Sequence, residues 1–480
     1  MTGSPDPTPE SIPSQTKAID ANSWWKLADY AVFSSYVAAV FVVVAHHEPW
    51  ADEAQAWLVA RDLPFWKMLF RQMHYEISPG LWHVLLWVAQ HVFHAPYSAM
   101  NWIGAVLAAA GAGVLIFCSP FPRPVRYLMS FSFYVAYQYA VVARPYVMLL
   151  LFGGLAALFY RRRAPVPFAI AIALLCGTSV HGCILAFALC LGAAWHVLVK
   201  RDWPVNESRN RYLAAVAIIV LAGIMVVVIA RPAVDAGGES RFKHVEFNTL
   251  DLLLTDALVG QWAVGACVLL ALTVFALRSG EAIVFVSGVG GLLAFEWLIF
   301  SLYQHRGVIV IALIVCLWVA WPKQQQWSPE LTLTVLLLSG LFGIQTFWAV
   351  KSWRNDYVAM YSGSKDAAAY LHRVGADHAN VFGFCFPVVA IQPYFDRSIF
   401  QNWPTAYLHM TQSEVDRVCV LDGPTVYDYL VVPVLNGDVN PYDNDLRRRG
   451  YFPVHLSPGR IFFKQGTWMS ETFVIYRHRF

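Results

Sequence analysis

The chain has 480 residues, of which 58% are apolar and only 14% charged, a balance that excludes an ordinary water-soluble globular protein and points to a membrane. The formal net charge is +3 and no soluble stretch interleaves basic residues with aromatics, so nucleic acid is excluded as a partner.

Residues 1–23 are rich in Pro, Ser and Thr without an apolar core and read as a disordered cytoplasmic tail. The first apolar run, Leu27–Ala45, then serves as the membrane-targeting signal. The stretch His47-Glu48-Pro49-Trp50-Ala51-Asp52-Glu53 follows where a chain leaves the bilayer. Pro49 can precede a helix but not continue one, and Ala54, Trp57, Leu58, Arg61 and Asp62 suit an amphipathic helix lying along the interface. Asp52 and Glu53 open that helix, where free backbone N–H groups favour ionised carboxylates. The pair is either a chemical centre or a helix cap with first-turn decoration.

Windows long enough to cross a hydrocarbon core fall near 27–46, 99–118, 127–143, 145–160, 166–183, 184–199, 212–230, 257–277, 282–303, 307–322 and 329–349, about eleven spans. Pro79–His94 is apolar but carries His83, Gln90 and His91. Read as a shallow or re-entrant helix, it leaves Arg123, Arg126, the triplet Arg161–Arg163, Lys200, Arg201, Arg278 and Lys323 on one side, which is the cytoplasm by the positive-inside rule. Asp52, Glu53, Arg144, His181, the 231–256 loop, His305 and Arg306 then share the outer face. Five Trp residues, Trp24, Trp25, Trp50, Trp82 and Trp87, read as an interfacial belt rather than a sugar-stacking platform.

Beyond Lys351 the polar residues return, and 351–480 reads as an external soluble α/β domain with a helix at Ser364–Val374 and strands near 380–384, 429–432, 460–463 and 473–476. Cys385 and Cys419 lie there and can pair in an oxidising compartment, whereas the other six cysteines fall in apolar runs. The fold expected is mainly α: a polytopic helical bundle over 24–350, with a first external loop at 47–98, followed by the α/β domain.

With an acidic pair outside the first span, the chain resembles the GT-C membrane glycosyltransferases, in particular the glycosyltransferase 39 group of protein O-mannosyltransferases and aminoarabinose transferases. Asp52-Glu53 falls on that family's Asp-Glu pair. Ser78-Pro79-Gly80-Leu81 lies where it has His-Pro-Pro-Leu, and Arg144-Pro145-Tyr146 resembles its Arg-x-Tyr. Ser78 and Gly80 depart from the pattern, and a second carboxylate seen in many members is missing. Tyr303-Gln304-His305-Arg306-Gly307 also resembles relatives of the group.

The resemblance implies transfer of a sugar from a polyprenyl-phosphate donor to a lipid, glycan or protein acceptor at the outer face of a bacterial inner membrane. An acceptor hydroxyl must lose a proton and the departing phosphate must be stabilised. Asp52 is the expected base, with Glu53 as support. Mg or Mn at Asp52 is compatible but not required, because hard cations want several oxygen ligands. Arg144 and Arg306 suit the phosphate, unless they only snorkel to headgroups. Arg241 and Lys243 can grip the donor or belong to a solvated loop. His181 can bond sugar or phosphate, or be a satisfied interhelical group; Tyr146, His305, His74 and Glu76 can line the site. The rival readings are a transporter or flippase of lipid-linked glycans, for which Glu296 in its apolar run is the one convincing acid, and a non-catalytic scaffold.

Overall fold

The computed structural model describes residues 21–201, 209–236, 247–323, 327–421, 425–434, 442–464 and 466–479. Most of the expected tail and the Arg241 and Lys243 expectation lie outside the described residues. Five helices among those described are long and apolar enough to cross a membrane: Trp24–Val44, Ala99–Cys118, Val180–Lys200, Arg209–Ala230 and Pro329–Val358. A sixth candidate, Leu250–Val259 with Trp262–Arg278, is bent by 73°, and Pro165–Cys176, Ala282–Leu298 and Gly307–Ala320 are shorter apolar helices.

Against the eleven spans expected, the clearest difference is 127–143, which is not one helix. Arg123–Ser130 is α-helical, Tyr134–Gln138 is a π-turn, and the backbone then turns irregularly up to Tyr146. The hydroxyls of Ser130 and Ser132 donate to the carbonyls of Arg126 and Met129, competing with helical bonding. The segment is apolar because protein surrounds it, not lipid: nearly every residue from Met129 to Ala143 is buried. Irregular backbone at membrane depth survives only under such cover. The segment still crosses the bundle, since Arg126 bonds Asp29 in the first helix and Arg144 bonds Asp52 beyond that helix's far end.

Leu81–His91 has 11 residues, too short to span, and packs on the Ala51–Asp62 helix. Gly80 precedes it at φ +88°, a conformation closed to proline, which accounts for Gly where the resembled family has Pro.

The α/β domain follows the long helix, which runs on to Val358 instead of ending near 350. Strands β1 (Val381–Gly383), β2 (Tyr429–Val434), β3 (Tyr451–Ser457) and β6 (Thr472–His478) form a sheet in the order β1-β2-β6-β3, with β1 and β2 parallel and the other pairs antiparallel. β4 (Arg460–Phe463) and β5 (Gly466–Ser470) make a separate hairpin. The expected helix is present as Ser364–Arg373, and Cys385 and Cys419 form a disulfide.

This domain corrects two further expectations. The Ala51–Asp62 helix does not float at the interface with one polar face exposed. Ala51 and every residue from Glu53 to Ala60 are buried, because Leu81–His91 covers one side and the Phe386–Tyr394 segment another. Trp50 and Trp82, at 7% and 0% exposure, are likewise core residues and not part of a lipid-facing belt, while Trp24 and Trp25 are exposed.

Candidate functional site

Trp50 is the N-cap of the Ala51–Asp62 helix and Asp52 and Glu53 lie in its first turn, where unpaired N–H groups attract carboxylates. The two acids then part company. Glu53 turns inward and is sealed at 0% exposure. One of its oxygens accepts the Ala143 N–H at 2.6 Å; the other accepts the Trp50 N–H at 3.2 Å and faces His47 Nε2 at 3.2 Å. The opposite ring nitrogen of His47 meets Asp356 at 2.8 Å, and Tyr137 donates to the same Asp356 oxygen at 3.1 Å. Burial alone would lower the His47 pKa, but the Asp356 and Glu53 carboxylates on either side hold it up at about 10. Glu53 is thus a support that fixes the helix start to the irregular 130–146 segment, and it does not reach the opening.

Asp52 faces the other way. It pairs with Arg144 and accepts a bond from Gln304 Nε2 at 3.3 Å, and the Asp52 and Arg144 side chains remain 24% and 19% exposed. That makes the pair the reachable part of an otherwise closed cluster. Arg144 lies over the Tyr146 ring, its guanidinium carbon 5.9 Å from the centroid. Tyr146 in turn meets His305 and His181, centroids 5.4 and 5.8 Å away. Arg144, Tyr146, His181 and His305 therefore gather beside Asp52 at one end of the bundle.

The remaining candidates are placed differently. Arg306 makes its ion pair with Asp256, whose backbone carbonyl accepts the Tyr134 hydroxyl, and not with Asp52. Glu76 accepts from Gln55 at 2.9 Å and Gln72 at 3.2 Å, and burial raises its carboxyl pKa. Its contacts make it a strut. His74 spends its Nε2 on the Val228 carbonyl at 3.1 Å, tying the 73–76 turn to the end of the Arg209–Ala230 helix. Glu296 is bonded at 2.7 Å to His181, in the first turn of the Val180–Trp195 helix.

Several participants carry no local sequence signal. Glu471 lies 420 positions from Ala51 yet accepts the Ala51 N–H at 3.0 Å; burial, with the Asp52 and Glu53 charges adding to it, pushes its carboxyl up to about 8. Gln55 exchanges both amide groups with the Leu408 backbone, at 2.7 and 3.0 Å. Lys464, on the β4–β5 hairpin, is buried with its ammonium 4.8 Å from the Trp348 ring centroid and 4.9 Å from that of Tyr134, and burial lowers its pKa. A pairing preference of Glu53 for a basic residue was visible in principle in His47, six positions earlier.

A cavity of about 770 Å³ is lined by Tyr160, Arg161, Phe275, Arg278, Trp321 and Leu337, at the opposite end of the bundle from Asp52. A smaller one, about 320 Å³, lies between Trp57, Arg61, Tyr97 and Asp396. Neither includes Asp52, so the acid meets Arg144 in a direct contact and not across either of these hollows.

Neither protein-family models nor the sequences of curated proteins give a match to the chain. Among solved structures, it is similar to the crystal structure of ArnT from Cupriavidus metallidurans bound to undecaprenyl phosphate, with a TM-score of 0.54 over 95% of this chain and 98% of that one. The fold is GT-C. At 12% identity the likeness fixes the path of the backbone and leaves the chemistry to the side chains. The Asp52 turn, the 130–146 crossing and the α/β domain beyond Val358 are the parts that converge on one spot.

Proposed function

We propose that the chain is an inverting glycosyltransferase that moves a sugar from a polyprenyl-phosphate donor to an acceptor at the outer face of a bacterial inner membrane. The observation that carries this reading is the partly open Asp52–Arg144 pair at the outer end of a GT-C bundle, the fold of a protein crystallised with undecaprenyl phosphate. Asp52 takes the proton from the acceptor hydroxyl as its oxygen bonds to the anomeric carbon. The bond from that carbon to the phosphate oxygen breaks on the other side, and the lipid phosphate leaves with the electron pair. Arg144 serves both acids in turn: it holds Asp52 before reaction and offers its fork of donors to the phosphate as negative charge grows there. Protonation of Asp52 weakens the first pairing as the second is needed.

The sidedness rests on the basic loops of the sequence and on the Cys385–Cys419 disulfide, a feature of oxidising compartments. Acceptors of this class are lipid, glycan or protein hydroxyls or amines. A hard Mg or Mn ion at Asp52 would have to displace Arg144, so the proton transfer is assigned to the carboxylate without one. The test is to incubate wild-type and Asp52→Asn protein with a panel of radiolabelled polyprenyl phosphosugars. A general base contributes about 10²–10⁴-fold, and Asp52→Asn should lose that much turnover while melting like wild type. Equal sugar release by the two proteins refutes the assignment.

A further inference from the structure

The histidine cluster beside the acidic pair has a chemistry that sugar transfer does not explain. His181 stands in the first turn of the Val180–Trp195 helix, Glu296 in Gly291–Leu298, and His305 just ahead of Gly307–Ala320. Each offers one ligand atom, and the three atoms lie within 4.8 Å of one another. All three residues are buried, at 5%, 0% and 5% exposure. His181 Nε2 bonds Glu296 Oε1 at 2.7 Å, but His181 Nδ1, His305 Nδ1 and Glu296 Oε2 find no partner among the described residues. A hydrogen-bonded His–Glu pair would account for one contact and leave three buried polar atoms bare, each a desolvation cost of about 1–3 kcal/mol.

We infer that His181, Glu296 and His305 form a binding site for a zinc-class divalent cation. Two imidazole nitrogens and one carboxylate oxygen select a borderline metal such as Zn²⁺ over Mg²⁺ or Ca²⁺, which take oxygen shells. Bond lengths of about 2.0–2.2 Å in a tetrahedron put ligand atoms about 3.4 Å apart, so small side-chain rotations suffice to close the triad. The fourth position stays open. Tyr146 borders both histidines, Phe295 lies 5.4 Å from the His181 ring and Phe300 5.2 Å from that of His305, which keeps the surroundings apolar.

The site is distinct from Asp52, which belongs to no such triad among the described residues. It is nevertheless adjacent: Gln304, next to His305, donates to Asp52, and Tyr146 lies between the histidines and Arg144. A dication with one carboxylate leaves net positive charge one side chain away from the Asp52–Arg144 pair. It also ties together the outer ends of three helices.

The experiment uses full-length protein purified without a polyhistidine tag, stripped with a chelator, and dialysed separately against zinc chloride, cobalt chloride and magnesium chloride. Metal content is read by elemental mass spectrometry and the cobalt form by visible absorption. Wild type should retain roughly one zinc per chain and no magnesium, and the cobalt form should show tetrahedral ligand-field bands. Glu296→Gln keeps the shape and the bond to His181, and His305→Asn removes a ligand on another helix. Each should weaken zinc binding by more than the roughly 10–100-fold that loss of a mere outer-shell partner costs. Glu281→Gln, in the His196–Glu281 pair at the other end of the bundle, should leave zinc content unchanged. Melting curves of stripped proteins establish that the variants are folded. A wild type that retains no zinc, or Glu296→Gln and His305→Asn proteins that hold as much as wild type, overturns the site. The readout is metal content, so the result stands whether or not Asp52 proves to be a catalytic base.

Discussion

Glu471→Gln probes the seam where the α/β domain meets the helix that carries Asp52. Glu471 is 1% exposed, and burial together with the Asp52 and Glu53 charges moves its carboxyl from 4.5 to about 8. An unfolded chain releases this proton near 4.5, so between the two values the folded protein binds more protons than the unfolded one. Linkage then makes wild-type stability fall as pH climbs through that interval; the acid costs nothing below about 4.5, and its full cost is in place above about 8. At about 1.36 kcal/mol per pH unit the interval amounts to at most about 5 kcal/mol. Glutamine keeps an oxygen for the Ala51 N–H and cannot ionise. The variant should match wild type within about 1 kcal/mol at pH 5 and exceed it by a few kcal/mol at pH 9. Unfolding of the full chain in nanodiscs across that range reads the difference directly. A gap between the two proteins that is constant with pH, or a variant that is weaker at pH 9, refutes the reasoning.

His47→Gln should cost about 3–5 kcal/mol, because it leaves the Glu53 and Asp356 carboxylates buried without their shared cation. The His47 contribution is whole below 6.5 and lost as pH rises through about 10, so wild type should lose melting temperature at high pH while the variant does so less. Replacing Cys385 and Cys419 by Ser opens a loop closed over a separation of 34 residues and should lower stability by about 4 kcal/mol, with reductant reproducing the loss in wild type only. Gly307→Ala would drive a Cβ into the Tyr134 ring. It should cost at least about 1–3 kcal/mol on melting and, by shifting His305 and Arg306, reduce sugar release if the outer-face site is where transfer occurs.

What could be read from the chain alone was what repeats or stands out locally. The long lipid-facing runs 99–118 and 329–349 lie in membrane-length helices because hydropathy over such a window measures the solvent they meet. The Asp52-Glu53 turn was legible because an acidic pair is conspicuous in so apolar a sequence. The 127–143 segment misled for a physical reason: protein interior and lipid are equally apolar, so composition could not tell a buried irregular crossing from a spanning helix. The same ambiguity turned the Ala51–Asp62 helix from a half-exposed interfacial element into a covered one. Partnerships such as His47 with Asp356, 309 positions apart, and Ala51 with Glu471 leave no trace in periodicity, since each depends on how distant elements dock. The division of labour within the acidic pair was beyond reach too, because it depends on which way each side chain turns from one helical turn.

The bonds from Glu471 to Ala51 and from Leu408 to Gln55 span 420 and 353 positions. During synthesis, the membrane part of the protein is threaded and packed long before those partners leave the ribosome. The turn bearing Asp52 is consequently held in full only once the domain beyond Val358 has settled onto it. Loss or misfolding of that domain would leave the Asp52–Arg144 pair without its backing, whatever chemistry the pair performs.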